Sequence, residues 1–297
     1  MSDQLPRGGV IHDIGYRHYT GPRLGRMAIT QALMVSSLRH AYGIGRTGKA
    51  KVMPVLLFAV MVVPVVIIVG IENLMQFDEP QLLPVDYIFL LQPVIALYLA
   101  SQAPQLFSRD LRYRSIVLYL ARPPRRTDYA LAKLTALVLA LMVLIGVPLF
   151  ILYVGALLAK YDFVDMSKQF AAGLVVALLV SILLAAIGGL IAAATPRRGF
   201  AVAAIIAVLI VSFTAVITTT AILDPEGDMS STAARYASLG SPFSLARTVG
   251  TFLLRDHREN DWMPTTEQGL VFVGVYLLVV GLCVWGVNAR YAKVARG

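Results

Sequence analysis

The chain has 297 residues, of which 58% are hydrophobic and 14% are charged, and its mean hydropathy is +0.72. Apolar residues in long blocks are typical of a multi-pass membrane protein and exclude an ordinary soluble domain. Lysine and arginine exceed aspartate and glutamate by 26 to 17, an excess that in membrane proteins marks cytoplasmic loops and here disfavours nucleic-acid binding. The single cysteine, Cys283, excludes an intrachain disulfide and a multi-cysteine metal site.

The N-terminal part of the chain is polar. We expect residues 1–22 to be a cytoplasmic segment without a cleaved signal peptide, because no short apolar core precedes a small-residue cleavage site. Residues 23–50 are expected to form an amphipathic helix in the membrane interface, followed by a hinge; a helix packed on a soluble domain is the alternative. The helix is predicted from apolar residues at helical spacing, namely Leu24, Met27, Ala28, Met34, Val35, Leu38 and Tyr42, with Arg26, Ser36, Ser37 and His40 on the other side.

Residues 51–297 are predicted to form an all-α domain with six membrane spans. Each apolar segment is long enough to cross about 30 Å of hydrocarbon at 1.5 Å per residue. The second is the least lipid-like, because it carries Gln92, Ser101 and Gln102. The six segments lie near residues 52–71, 85–106, 134–158, 170–194, 200–223 and 268–288.

Charges between the spans predict the orientation of the chain. One set of loops is strongly basic, whereas the alternate loops are acidic or balanced, so both termini are expected to be cytoplasmic in a cell membrane. The long outer connection, 224–267, contains an amphipathic stretch that begins at Ser241 and Pro242; it is expected to be a re-entrant or interfacial element, or a plain lid. The basic set comprises Arg46, Lys49, Lys51, the segment 109–133, Arg197, Arg198, Arg290, Lys293 and Arg296.

No catalytic constellation is recognisable. The four histidines lack metal-ligand spacing, and the run from Gly43 to Lys49 fits GxxxxGK but is followed by Ala50, where a phosphate-binding loop needs Ser or Thr. We therefore interpret these glycines as a hinge. An integral membrane enzyme acting on lipids is disfavoured for the same lack of catalytic groups.

The spans also lack ionisable residues in their interiors, which disfavours proton- or ion-coupled transport. Thr214 and Thr218 share one helical face, and with Gln92 and Ser101 they are candidates for the lining of a translocation path. The alternative is that the hydroxyls bind carbonyls of their own helices. In the fourth span, small residues repeat every four positions at Ala185, Gly189 and Ala193, which favours close packing within one bundle over a dimer seam.

The coupling segment, residues 107–133, is a basic stretch between spans two and three. Ser108 is a candidate cap for a short helix starting at Arg109, the prolines at 123 and 124 end that helix, and Thr127 is a candidate cap for the next one. Two interpretations remain open: an interfacial loop on anionic lipid, or a docking helix that receives mechanical work from a soluble partner.

These features resemble the ABC-2 type permease subunits of ATP-binding-cassette transporters. In that family an acidic residue, a coupling helix, an "R/S-P-x-x-R" turn and a lysine follow span two. Here Asp110, the run from Arg122 to Arg126, and Lys133 match those positions. The resemblance implies that coupling or docking to the ATPase is carried out by Arg109, Asp110, Arg112, Arg114, Arg122, Arg125 and Arg126.

The resemblance also implies the partners. Two ATPase subunits would bind ATP and magnesium, no cofactor would bind to this chain, and a second, identical or related permease would complete the path among the membrane lipids. Family members mostly export lipophilic drugs, lipids, polysaccharides or peptides. The alternative function is a non-transporting anchor or signalling subunit that docks a cytosolic partner through the same basic loop.

Overall fold

The computed structural model describes residues 21, 25–45, 48–108, 125–225, 231–254 and 263–294. Within these ranges the chain is all-helical and contains no strand. A single 3-10 turn, Ser238–Gly240, follows the eighth helix. The α-helices are α1 (Arg26–Ala41), α2 (Gly48–Met75), α3 (Pro84–Leu90), α4 (Gln92–Leu106), α5 (Arg126–Leu158), α6 (Phe163–Ala194), α7 (Arg198–Leu223), α8 (Thr232–Ala237), α9 (Pro242–Leu254) and α10 (Thr266–Val294).

All six predicted spans correspond to helices. Five of them, α2, α5, α6, α7 and α10, are long and apolar enough to cross a membrane. The remaining predicted span, the second, at 85–106, is not one continuous helix, because α3 and α4 meet at an angle of 62°. The structure therefore has up to six spans, one of which is bent.

The bend lies at Leu91 and has a local cause. Pro93 is the second residue of α4, and a proline has no amide to donate and clashes with the carbonyl four residues earlier. Leu91 instead ends α3 by donating its amide to the carbonyl of Tyr87 at 3.2 Å, and its own carbonyl accepts from Ile95 at 3.2 Å. The sequence signal for this bend was present in Pro93, and the predicted span at 85–106 is formed by two helices.

Helix α6 lies at the centre of the bundle, where it packs against α3, α4, α5, α7, α9 and α10. Its small residues permit this close packing: a Cβ on Gly188 would lie 2.8 Å from the Leu99 side chain, and one on Gly189 would lie 2.8 Å from Leu134. Ala185 and Ala193 are also buried within the chain. The small-residue repeat is thus used inside the bundle, as predicted.

Helix α1 runs alongside α5. The side chain of Arg26 at its start contacts Asp128, and Tyr42 just beyond its end donates its hydroxyl hydrogen to the carbonyl of Ala140 at 2.7 Å. Asp128 and Ala140 lie about 18 Å apart along α5 at 1.5 Å per residue. The two helices are therefore paired over most of the length of α1.

The buried residues of α1 are Ser37 and Ala41. Ser37 is only 1% exposed, although it was expected on the polar side of the helix. Met27 and Val35, which belong to the predicted apolar face, are 72% and 40% exposed. The position of that apolar face in the membrane interface stays a prediction.

The two ends of the bundle differ in charge, and we call them the basic end and the acidic end. The basic end carries the starts of α2, α5 and α7 and the ends of α4, α6 and α10. At the acidic end, Arg247 of α9 pairs with Asp86 of α3 at 3.5 Å, and Tyr161 donates to the carbonyl of Glu79 at 3.2 Å. The charge segregation that the sequence predicted is thus present in three dimensions.

The outer connection contains a packed helix. Helix α9 starts at Pro242, as predicted, but the hydroxyl of Ser241 has no hydrogen-bond partner among the described residues and so does not cap it. A Cβ on Gly250 would lie 2.6 Å from Val176, which belongs to the apolar part of α6. Helix α9 therefore packs beside the apolar part of α6.

The turn between α1 and α2 requires glycine. Gly43 and Gly45 have φ values of +71° and +80°, in the left-handed region that glycine enters readily. A Cβ on Gly43 would also lie 2.8 Å from the backbone oxygen of Ala50, whereas one on Gly45 would meet nothing within 4 Å. Gly43 is thus constrained by both conformation and space, and Gly45 by conformation alone.

We predict that Gly43→Ala lowers the thermal unfolding midpoint in detergent more than Gly45→Ala does. Both variants lose about 1–2 kcal/mol because alanine disfavours the left-handed region. Only Gly43→Ala adds a clash with backbone atoms that cannot rotate away. Equal midpoints for the two variants would contradict the close approach of α1 and α2.

Candidate functional site

The candidate site is the coupling junction, the set of described residues that hold the two ends of the segment 107–133 at the basic end. Of the predicted coupling residues, Arg125 and Arg126 lie within the described part of the chain, at the start of α5. The predicted coupling helix and five of its residues lie outside the described residues: Arg109, Asp110, Arg112, Arg114 and Arg122.

The first end of the segment is anchored at Ser108. Its hydroxyl donates to the carbonyl of Ala192, near the end of α6, at 2.7 Å, and the residue is only 1% exposed. The neighbouring Phe107 is fully buried, and its ring would lie 3.3 Å from a Cβ on Gly189. Phe107 and Ser108 are therefore held against the central helix α6.

The second end is anchored at the start of α5. Asp128 accepts a hydrogen bond at 3.0 Å from the backbone amide of Arg125, the residue before the helix. A carboxylate in the first turn also interacts favourably with the helix dipole. Thr127 was predicted to cap a helix beginning at Asp128, and this prediction was wrong, because the helix begins two residues earlier at Arg126.

Asp128 also binds α1. Arg26 donates to both carboxylate oxygens of Asp128, from Nε and Nη2. Such a bidentate pair fixes the relative orientation of the two groups as well as their distance. The hydrogen bond to Asp128 raises the pKa of Arg26, so the guanidinium is charged at any physiological pH.

Buried aromatic residues join α5 to α10 at the same end. The rings of Tyr129 and Tyr291 meet edge to face with centroids 5.6 Å apart, and both residues are almost completely buried. The ammonium group of Lys133, which is 7% exposed, lies 5.5 Å from the centre of the Tyr129 ring. Lys133 is the residue that matched the family lysine, and its contacts place it inside the bundle, where the apolar part of α5 begins.

The last helix also reaches α6 at this end. Arg290 of α10 donates from Nε to the carbonyl of Ala193 at 3.4 Å, one residue after the carbonyl that Ser108 binds. Carbonyls in the last turn of a helix lack partners within the helix, and these two side chains supply them. The end of α6 is therefore the point at which α4 and α10 meet.

A comparison with models of protein families shows the family to which the chain belongs. The model of the ABC-2 family transporter protein matches residues 27–292, nearly the whole sequence. The chain belongs to the ABC-2 transporter family. A comparison with curated proteins found no match.

Membership of this family makes the chain a membrane transport component without an ATPase of its own, and it implies an ABC ATPase partner. The start of the GxxxxGK run forms a hydrogen-bonded turn after α1. The amides of Gly43 and Ile44 are already bonded to the carbonyls of His40 and Arg39, at 3.1 Å and 2.9 Å. A phosphate-binding loop needs such amides free to face the phosphates.

Metal binding finds no support in the described part of the ABC-2 chain. No group of three or more His, Cys, Asp or Glu side chains in those residues is arranged to hold a metal ion.

The four residues predicted to line a path lie in different surroundings. Ser101 is 7% exposed and donates its hydroxyl hydrogen to the carbonyl of Tyr98 at 2.9 Å, and Gln92 is half-buried as the first residue of α4. Thr214 and Thr218 are exposed on α7, on the side away from its buried residues Ile205, Leu209 and Val216.

The threonine hydroxyls of α7 differ among themselves. Those of Thr219 and Thr220 bind carbonyls of their own helix, at 2.7 Å and 2.8 Å, as the alternative interpretation expected. The hydroxyls of Thr214 and Thr218 make no hydrogen bond to any described residue. In this they differ from their two neighbours, and they are the two threonines that were predicted to line a path.

A buried polar cluster lies beside α1, and the sequence did not predict that its residues come together. The ring of Tyr42 lies 5.9 Å from that of Tyr98, and Gln102, one turn further along α4, donates from Nε2 to the Ser101 hydroxyl at 3.0 Å. Tyr98 and Gln102 are both fully buried. Their spacing of four residues was a visible signal, although nothing in the sequence identified Tyr42 as the neighbour.

We predict that Ser108→Ala loosens the first anchor of the coupling junction. Losing a buried hydrogen bond and leaving the Ala192 carbonyl unsatisfied should cost about 1–3 kcal/mol, seen as a lower unfolding midpoint and faster amide exchange in residues 103–108. Ser212→Ala is the matched control, since the Ser212 hydroxyl binds only Leu209 of its own helix at 3.0 Å. A Ser108→Ala protein as stable and protected as the control would contradict the anchor.

Proposed function

We propose that this ABC-2 chain is the permease subunit of an ABC exporter, forming half of the translocation path and coupling it to ATP hydrolysis by a separate subunit. The observation that carries the proposal is the double anchoring of the segment 107–133. Ser108 ties its start to the central helix α6, and Asp128 ties its end to α5 and α1. A segment held in this way transmits a push from a partner to several spans, whereas a slack loop would absorb it.

The proposed partners follow from the same reasoning. Two ATPase subunits carry ATP and magnesium, and the coupling residues at 109–126 dock into them. A second permease, identical or related, completes the path. In this proposal, both termini and the basic end lie on the cytoplasmic side of the cell membrane, because lysine and arginine are concentrated at that end of the bundle.

The proposed substrate is lipophilic or amphiphilic. The candidate lining is only weakly polar: Thr214 and Thr218 are flanked on the exposed side of α7 by Ile210, Val211 and Ile217, which are each at least 49% exposed. A surface of hydroxyls and aliphatic groups offers weak hydrogen bonding without charge. Such a surface suits an apolar molecule with a small polar part. Export is proposed as the direction of transport because members of the family mostly export their substrates.

The second candidate is a membrane anchor or signalling subunit without transport. It is favoured by one observation, the apolar exposure of α2, α7 and α10, which suits assembly with other membrane helices as well as it suits lipid. Both functions use the basic end to bind a soluble partner. They differ in whether water reaches the candidate lining.

Charge reversal tests the coupling role. We predict that Arg125→Glu with Arg126→Glu uncouples ATP hydrolysis from transport without removing the protein from the membrane, because both residues lie at the exit of the coupling segment. The matched control is Arg197→Glu with Arg198→Glu, a basic pair at the start of α7 and the same end of the bundle. ATP hydrolysis is measured on the purified complex, and the amount of the protein is measured on isolated membranes. Coupling that persists in the variant with Arg125→Glu and Arg126→Glu would argue against the proposal.

Cysteine labelling separates the two functions. In a Cys283→Ala background, Thr214→Cys and Gln92→Cys should react with a water-soluble, membrane-impermeant thiol reagent, because the proposed path is hydrated. Leu277→Cys on α10, which is 62% exposed in the native residue, is the lipid-facing control and should react slowly. Equally slow reaction at all three positions would favour the anchor or signalling subunit.

A further inference from the structure

We propose that Arg26 and Asp128 are positioning residues that make α1 and α5 move as one body when the segment 107–133 is displaced. This inference rests on the proposed function, because the displacement would come from the ATPase partner. It assigns α1 a specific mechanical role, beyond that of a helix resting in the membrane interface.

The first step is the shared carboxylate. Asp128 accepts from Arg26 through both oxygens and from the backbone amide of Arg125. Arg125 is the last residue before α5 and part of the predicted coupling segment. A displacement of that residue therefore acts on the same carboxylate that holds α1.

The second step is the contact along the length of α1. At its far end the Tyr42 hydroxyl binds Ala140 of α5 at 2.7 Å, and midway Met34 lines an apolar groove of about 470 Å³ together with Leu131 and Val138. The helices thus touch at three levels, and among the described residues the ion pair of Arg26 and Asp128 is the polar contact at the level nearest the coupling segment. Without this pair, the start of α1 keeps no polar tie to α5 among the described residues.

The third step is the connection to α2. Gly43 and Gly45 form a left-handed turn directly after α1, and the hydrogen bond between α2 and α5 lies at the opposite, acidic end, from Asn73 to Gly155 at 3.3 Å. Helix α1 is therefore tied firmly to α5 and joined to α2 through a two-glycine turn. This arrangement lets the basic end of α5 shift together with α1.

Spin-label distances test the shared movement in the complex purified with its ATPase partner, in a Cys283→Ala background. One label pair, at Val35 and Val143, reports on α1 against α5, and a second, at Val35 and Val52, reports on α1 against α2; all three sites are at least 40% exposed. On trapping with ATP and vanadate, we expect the first distance to stay constant and the second to shift. A shift of the first distance with a constant second distance overturns the inference.

Variants then isolate the ion pair. Asp128→Asn keeps an oxygen for the Arg125 amide but loses the charge, and Arg26→Ala removes only the contact with α1. Each should broaden the distribution of Val35–Val143 distances and abolish the nucleotide-dependent shift of the Val35–Val52 distance, and the double variant should be no worse than either single one. Arg26→Lys, which keeps the charge without the bidentate geometry, should recover part of the shift.

The control variant is Arg39→Ala, which removes an exposed arginine from the same helix and should behave as the wild type. A wild-type complex without an ATP-hydrolysing partner would contradict the proposed function and this inference with it. A wild-type complex that shows the shift, combined with an Arg26→Ala complex that shifts equally, overturns the inference alone. Additive effects of the two single variants also overturn it, because independent residues do not form one connection.

Discussion

The carboxylate of Asp128 is the contact on which the basic end of this protein depends. One side chain starts α5 by accepting from the amide of Arg125 and fixes α1 by accepting from Arg26. Because the carboxylate is ionised, each of these bonds is charge-assisted and stronger than a neutral one. The first helix, the third predicted span and the end of the coupling segment therefore meet at a single residue.

The central helix α6 supplies the other fixed point. Its small residues let Leu99, Leu134 and Phe107 pack against its backbone, and its last carbonyls accept from Ser108 and Arg290. The bundle is thus dense where the coupling segment leaves it and where it returns. The remaining spans, α2, α7 and α10, expose long aliphatic surfaces that suit lipid or a second subunit.

Much of the fold could be predicted because long apolar segments and their flanking charges obey strong physical constraints. The helices of all six spans, the helix at Pro242 and the glycine turn at Gly43 follow from local sequence. The bend at Leu91 was missed because an apolar run of sufficient length masked the effect of Pro93. The partners of Asp128 and Tyr42 were missed because they are set by residues about 100 positions away. The coupling roles of the residues at 109–126 remain predictions, as does the path formed by Gln92, Ser101, Thr214 and Thr218.

The most direct test of the central claim is to purify the tagged chain in mild detergent and identify the co-purifying proteins by mass spectrometry. The account predicts a stoichiometric soluble subunit that carries a complete GxxxxGK[ST] motif, since this chain has Ala50 at the decisive position. Recovery of the chain alone, or with a partner that lacks a nucleotide site, would contradict the permease function and favour the anchor or signalling subunit.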